Sequence, residues 1–144
     1  MNWERIDANA DPTELLHLGV RLHGHKGPLL ALGIRMGLLA LRTLGSSGFT
    51  GIFAEAHTGT EPPISCLVDG IQIATGCTAG KGNLRVLPGG RAEAVFSQDG
   101  RTLRVALQEE WQKRILASGA AESLTDEVLA APEAELFTWS LSSS

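Results

Sequence analysis

The spacing of apolar residues changes several times along this chain, and each change predicts an element. Asp11-Pro12-Thr13-Glu14 reads as a helix start: Asp11 can cap, Pro12 suits the first helical position and Glu14 can reach back to the cap. The helix should run from Pro12 to about Leu22, with Leu15, Leu16, Leu18 and Leu22 as its buried side. His23-Gly24-His25-Lys26-Gly27 breaks the pattern, and Pro28 starts a second helix that reaches about Leu44. That helix is apolar almost all round, with a thin polar line at Arg35 and Arg42, so it should be buried on most sides. Gly33, Gly37 and Ala40 form a small-residue stripe on it. The stripe suits a central core helix and could also line a dimer contact.

Gly45-Ser46-Ser47-Gly48 is a loop, and Phe49 to Thr58 reads as a strand anchored by Ile52 and Phe53. Pro62-Pro63 interrupts the pattern. Ser65 is placed to cap a helix from Cys66 to Thr75, which Gly76 stops. Three short strands follow, at 84–87, 92–97 and 102–106, the last two flanking an Asp99-Gly100 hairpin turn. An amphipathic helix is predicted over 107–117, with Leu107, Trp111 and Ile115 on one side. A shorter helix starts near Ser123 and ends at Pro132. Leu136, Phe137 and Trp139 suit an edge strand, and residues 142 to 144 are expected to fray. The order predicts an α+β fold: N-terminal helices packed on a mostly antiparallel sheet, with C-terminal helices. Its 144 residues suit one domain, 1–144.

Composition narrows the function classes. With 43% hydrophobic and 19% charged residues, the chain is an ordinary globular sequence. Net charge is −4, no basic stripe is interleaved with aromatics and there is no Tyr, so no nucleic-acid partner is expected. The N-terminal stretch lacks an apolar signal region. The longest apolar run carries two arginines and is too short to span a bilayer comfortably. The expectation is a cytoplasmic protein without a membrane partner. There, two cysteines serve more often as free thiols, metal ligands or reactive groups than as a disulfide.

Candidate chemistry concentrates between Cys66 and Leu84. Cys66, Asp69 and Gln72 recur every three residues and share one broad helix face, while Leu67, Ile71 and Ala74 face elsewhere. A lone cysteine is most often a small buried hydrophobe. Cys66 sits in the first helical turn beside a polar line, where the helix terminus favours a thiolate with a lowered pKa, so both readings stay open for it. The Gly76–Asn83 loop adds Cys77, Thr78, Lys81 and Asn83. It departs from a phosphate loop, having three residues where that motif has four and lacking the Ser or Thr after Gly-Lys. Asp69, Gln72, Thr78, Lys81 and Asn83 are expected to shape a small-ligand pocket.

His23 and His25, one residue apart at a helix junction, can aim two imidazoles into one site. With Cys66 and Cys77 they make a borderline-soft set suited to a divalent transition metal, zinc above all. The spacing matches no zinc finger, so three ligands with an open position are more natural than a closed site. The helix between the cysteines is about 15 Å long, so both thiols reach one metal only if the loop folds back. His17 reads as an exposed residue, and His57 as a weaker candidate for a fourth ligand.

Two stretches resemble a known family. His23-Gly24-His25-Lys26-Gly27-Pro28 with Leu32 to Gly37, then Cys66 to Gln72 with Thr75 to Thr78 and Gly80 to Leu84, are similar to two signatures of the FmdE-like family of formylmethanofuran dehydrogenase subunits. The likeness covers about residues 12 to 106. It implies an α+β core domain that forms homodimers, a cleft where the His and Cys residues meet, often with a metal, and an association with one-carbon or molybdoenzyme metabolism. Some relatives carry a C-terminal zinc-ribbon extension; with no cysteine after Cys77, this chain is expected to lack it. Gly27 stands where many relatives have Cys, which removes one thiol ligand.

Three functions are compatible with these residues. The first is a metal-binding domain with a His/Cys-lined pocket. The second is a metal-free enzyme with Cys66 as its catalytic nucleophile. The third is an accessory or metal-delivery component of a larger enzyme complex.

Overall fold

The structure is a computed structural model and describes residues 1–143. Helix α1 spans Pro12–His23 and α2 spans Pro28–Leu44. Strand β1 (Phe53–Ala56) leads to α3 (Cys66–Thr75), a short 3-10 turn and β2 (Leu84–Val86). A hairpin of β3 (Glu93–Gln98) and β4 (Arg101–Leu107) precedes α4 (Glu109–Ala117), α5 (Thr125–Ala130), α6 (Glu133–Leu136) and β5 (Phe137–Ser143). The sheet order is β2-β1-β3-β4-β5. Every neighbouring pair is antiparallel except β1 and β2. The fold is the expected α+β, with one βαβ unit, β1-α3-β2, set into it.

The local reasons are those of the sequence. The Asp11 side chain accepts a hydrogen bond from Thr13 N, and Gly24 ends α1 at φ 106°. Asp99 and Gly100 both take positive φ, 51° and 78°, and close the β3–β4 hairpin. Helix α2 forms the centre of the core: fourteen of its 17 residues are buried. Its two arginines have partners within the chain. Arg35 donates to the carbonyls of Val128 and Leu129 at 2.8 and 2.9 Å, serving carbonyls in the last turn of α5 that would otherwise go unmatched. Arg42 donates to the Ala8 carbonyl and pairs with Glu133.

The small-residue stripe of α2 is used against α3. A Cβ on Gly33 would fall on the Leu67 carbonyl, and one on Gly37 would lie 2.6 Å from Ala74 Cβ. The stripe is therefore filled within the chain and does not line a dimer contact.

Several boundaries and faces differ from expectation. The first strand is only Phe53–Ala56, because Gly48, Phe49 and Gly51 all take positive φ and Phe49 N binds the Thr75 carbonyl at the end of α3. Helix α1 buries Leu16 and Gly19, whereas Leu18 and Leu22 are exposed. Gly19 lets α1 sit directly on Leu30 and Ile34, which turns the other leucines outward. Ser65 is helical, at φ −65° and ψ −15°, and makes no side-chain cap. Leu107 belongs to β4, and α6 is an additional short helix. Ser142 and Ser143 pair with Thr102 and Arg101 at the end of β5, so they are not frayed; Ser144 lies outside the described residues. No helix among the described residues is long and apolar enough to cross a membrane.

Candidate functional site

The parallel β1-α3-β2 unit positions the site. The loop from β1 to α3 leaves the carboxyl end of β1, a common place for ligands in parallel sheet units. Gly59, Thr60 and Ser65 of that segment border a cleft of about 500 Å³ that runs along α3 past Cys66, Asp69 and Gln72. Leu84 and Val86 of β2 and Val68 form apolar wall, and His23 also lines the cleft. Close packing of α2 on α3 fixes this wall relative to the junction of α1 and α2.

That junction delivers the two histidines. One nitrogen of His23, one of His25 and Cys66 Sγ all lie within 4.8 Å of one another. The rings of His23 and His25 stand 4.6 Å apart at 45°. Tetrahedral zinc with bonds of about 2.0–2.3 Å sets its ligand atoms about 3.3–3.8 Å apart, so a contraction of about 1 Å closes the cluster on a metal.

The hydrogen bonds assign the ring tautomers. His23 Nδ1 donates to Asp69 Oδ2 at 2.7 Å. His25 Nδ1 lies 3.1 Å from the Lys26 carbonyl, which can only accept, so this nitrogen carries its proton. In the neutral rings both Nε2 atoms are then lone-pair donors. His23 Nε2 is buried and has no hydrogen-bond partner. A buried unpartnered acceptor is costly, and a metal ion is one group that removes the cost. The donor set of this chain thus fits a divalent ion with three protein ligands.

Asp69 lines the cleft on the face its spacing predicts and also contacts His23. Its carboxylate holds the His23 ring in one orientation. Cys66 departs from the thiolate reading. Burial pushes its thiol up, and the negative charge of Asp69 pushes it further. These two effects outweigh a backbone hydrogen bond that lowers it, so without a metal the thiol is protonated near neutral pH.

Cys77 stands apart from the cluster. It is fully buried, its Sγ donates to the Ile52 carbonyl at 3.7 Å, and burial raises its thiol pKa. Gly76 ends α3 and turns the chain toward β1 instead of back along the helix. The loop residues bind one another. Thr78 Oγ1 accepts from Lys81 Nζ at 2.8 Å, and Asn83 accepts from Thr78 N while donating to the carbonyls of Phe49 and Ile52. Lys81 also lies 6.0 Å from the Trp3 ring. Of the five expected pocket residues, Asp69 and Gln72 line the cleft and Thr78, Lys81 and Asn83 do not. His17 is exposed, and His57 is absent from the cluster. Thr60 and Ser65 also line the cleft, though neither stands out in the sequence as a site residue. Their signal was position, between a short strand and a helix of a βαβ unit.

A family model described as FmdE, molybdenum formylmethanofuran dehydrogenase operon, matches residues 22–138. A protein of Archaeoglobus fulgidus named as a probable S-adenosyl-L-methionine-binding protein is 31% identical over 123 residues. The match covers 83% of this chain and 34% of that protein, so the chain spans about a third of that relative's length. A crystal structure of a tungsten formylmethanofuran dehydrogenase FmdE-like protein from Syntrophus aciditrophicus superposes with a TM-score of 0.73. The superposition covers 99% of this chain and 78% of that chain at 24% identity, and shows a shared fold.

Proposed function

The chain belongs to the FmdE family, and from that premise we propose that it is a metal-binding domain whose centre opens on a small-ligand cleft. His23, His25 and Cys66 hold the ion, a divalent transition metal with zinc the best fit to two imidazoles and one thiolate. Bound there, zinc supplies a Lewis-acid centre with a position open to a ligand. Asp69 holds the His23 ring with its proton on Nδ1. The observation that carries this reading is that His23, a member of the Cys/His cluster, has a buried Nε2 without a hydrogen-bond partner.

The protonated, buried state of Cys66 weighs against a metal-free enzyme using its thiolate. An accessory or metal-delivery component of a larger enzyme complex would use the same cluster. The family description supports a role beside a molybdenum enzyme of one-carbon metabolism. About two thirds of the archaeal relative lies outside the match, so its named ligand is not carried over. We further propose a cytoplasmic homodimer. Its interface would lie away from α2, and the half-exposed Trp139 and Leu141 on edge strand β5 offer a surface.

Metal analysis of untagged protein tests the central reading. About one equivalent per chain is expected, and less than about a tenth after anaerobic reconstitution with zinc would sink it. Pull-down from the native source separates the accessory role from a free-standing one.

A further inference from the structure

We propose that the cleft takes a small organic anion whose one charged group binds the metal and whose remaining body is uncharged and apolar, and that Val86 selects that body. The proposal rests on the metal reading above and names the ligand class of that same centre. His23 and Cys66 belong both to the Cys/His cluster and to the lining of the cleft, whereas His25 belongs to the cluster alone. The cleft therefore meets the cluster on its His23 and Cys66 side. Its volume, about 500 Å³, lies within the range of small-molecule sites, roughly 300–1,000 Å³.

Charge confines the anionic group to the metal. Among the described residues no lysine or arginine lines the cleft, and Asp69 is the one carboxylate that does. Arg85 lies between Leu84 and Val86 on β2 and alternates to the opposite side of the strand. A divalent ion held by two neutral imidazoles and one thiolate keeps a net positive charge, which matches an anion at its open position. A second anionic group farther along the cleft would meet Asp69 and no cation.

Strand register explains the apolar body. In the parallel pair, Ala54 stands opposite Leu84 and Ala56 opposite Val86. Ala54 and Ala56 are buried, so Leu84 and Val86 face the same core side of the sheet. Val86 is nevertheless 38% exposed, because the cleft lies over it at the edge of the sheet. Val68, Pro62 and Ala79 line the same cleft. An apolar body seated there removes this surface from water.

The test uses the full chain with carbon-13-labelled methyl groups, zinc-loaded and metal-free, with zinc content measured on every sample. NMR titration compares phenylacetate with phenylacetamide, which lacks the charge, with 4-carboxyphenylacetate, which adds a second one, and with acetate, which lacks the body. Phenylacetate is expected to shift the Val86 methyl signals of the zinc-loaded chain. It should bind that chain about tenfold tighter than the metal-free chain does, and about tenfold tighter than either of the other two aromatic probes binds. Val86→Thr, nearly the same shape, should keep its zinc, weaken phenylacetate about fivefold and leave acetate unchanged. Absence of saturable phenylacetate binding overturns the proposal, as does binding that ignores the zinc. Equal or tighter binding of either other aromatic probe overturns it too, and so does a Val86→Thr variant that binds phenylacetate unchanged. A chain that takes up no zinc sinks the metal reading and this one with it, whereas a zinc-loaded chain without the preference sinks this one alone.

Discussion

A Cβ on Gly33 would lie 2.9 Å from Gly70 Cα, and one on Gly70 would lie 2.8 Å from Gly33 Cα. Helices α2 and α3 therefore meet backbone to backbone, and their contact carries Cys66 to the histidines that precede α2. Gly33→Ala should destabilise the chain by about 3 kcal/mol or more, since neither helix backbone can yield to the added methyl. Urea unfolding of metal-free protein checks this. Gly80→Ala is the control: open space surrounds Gly80, so its midpoint should hardly move.

Asp69→Asn should leave the fold intact and weaken zinc binding by about 10- to 100-fold, because the His23 ring loses its anionic partner. Competition with a chromophoric chelator measures the change. An unchanged affinity would show that Asp69 does not act through His23.

The two cysteines should separate cleanly. Cys66→Ala removes a ligand and should abolish stoichiometric zinc binding. Cys77→Ala should keep it, since Cys77 is outside the cluster. Loss of zinc in the Cys77 variant, with a native circular dichroism spectrum, would contradict the assignment.

Both thiols are raised by burial, so in the metal-free protein the folded state holds their protons more tightly than the unfolded state. That contribution is complete below the ordinary thiol range, about 8.5, and is lost as pH climbs through and above it. The urea midpoint should therefore stay level between about pH 7 and 8 and fall above about pH 9. The fall should shrink in the Cys66→Ala, Cys77→Ala double variant. Cys66 should also alkylate slowly at neutral pH, because only the thiolate reacts.

Arg35→Met should cost about 1–3 kcal/mol by leaving the carbonyls of Val128 and Leu129 without their donor. Hydrogen exchange should show the loosening first in α5.

Elements with a strong local signal were legible in the chain. Pro28 and Gly45 bound α2, and Gly76 bounds α3, so both helices match expectation to the residue. The Asp99-Gly100 turn and the edge strand around Trp139 were equally plain. Helix α1 was ambiguous, because four leucines cover two faces and only the contact of Gly19 with Leu30 and Ile34 selects one. Of the residues that the structure brings to the cluster or the cleft, His23, His25, Cys66, Asp69 and Gln72 stand out by type and spacing.

What the sequence by itself determined is therefore the set of helices, the α+β order and the identity of the groups that could bind a metal. These follow from local rules: period, caps, turn residues and side-chain chemistry. Which groups meet was decided only in three dimensions. The α2–α3 contact brings Asp69 to His23, 46 residues away, and Cys66 to both histidines. The turn at Gly76 sends Cys77 into the core under Ile52. Burial then raises the Cys66 thiol, where the helix terminus alone would lower it. Distance and desolvation belong to the packed chain, and no spacing along the sequence encodes them.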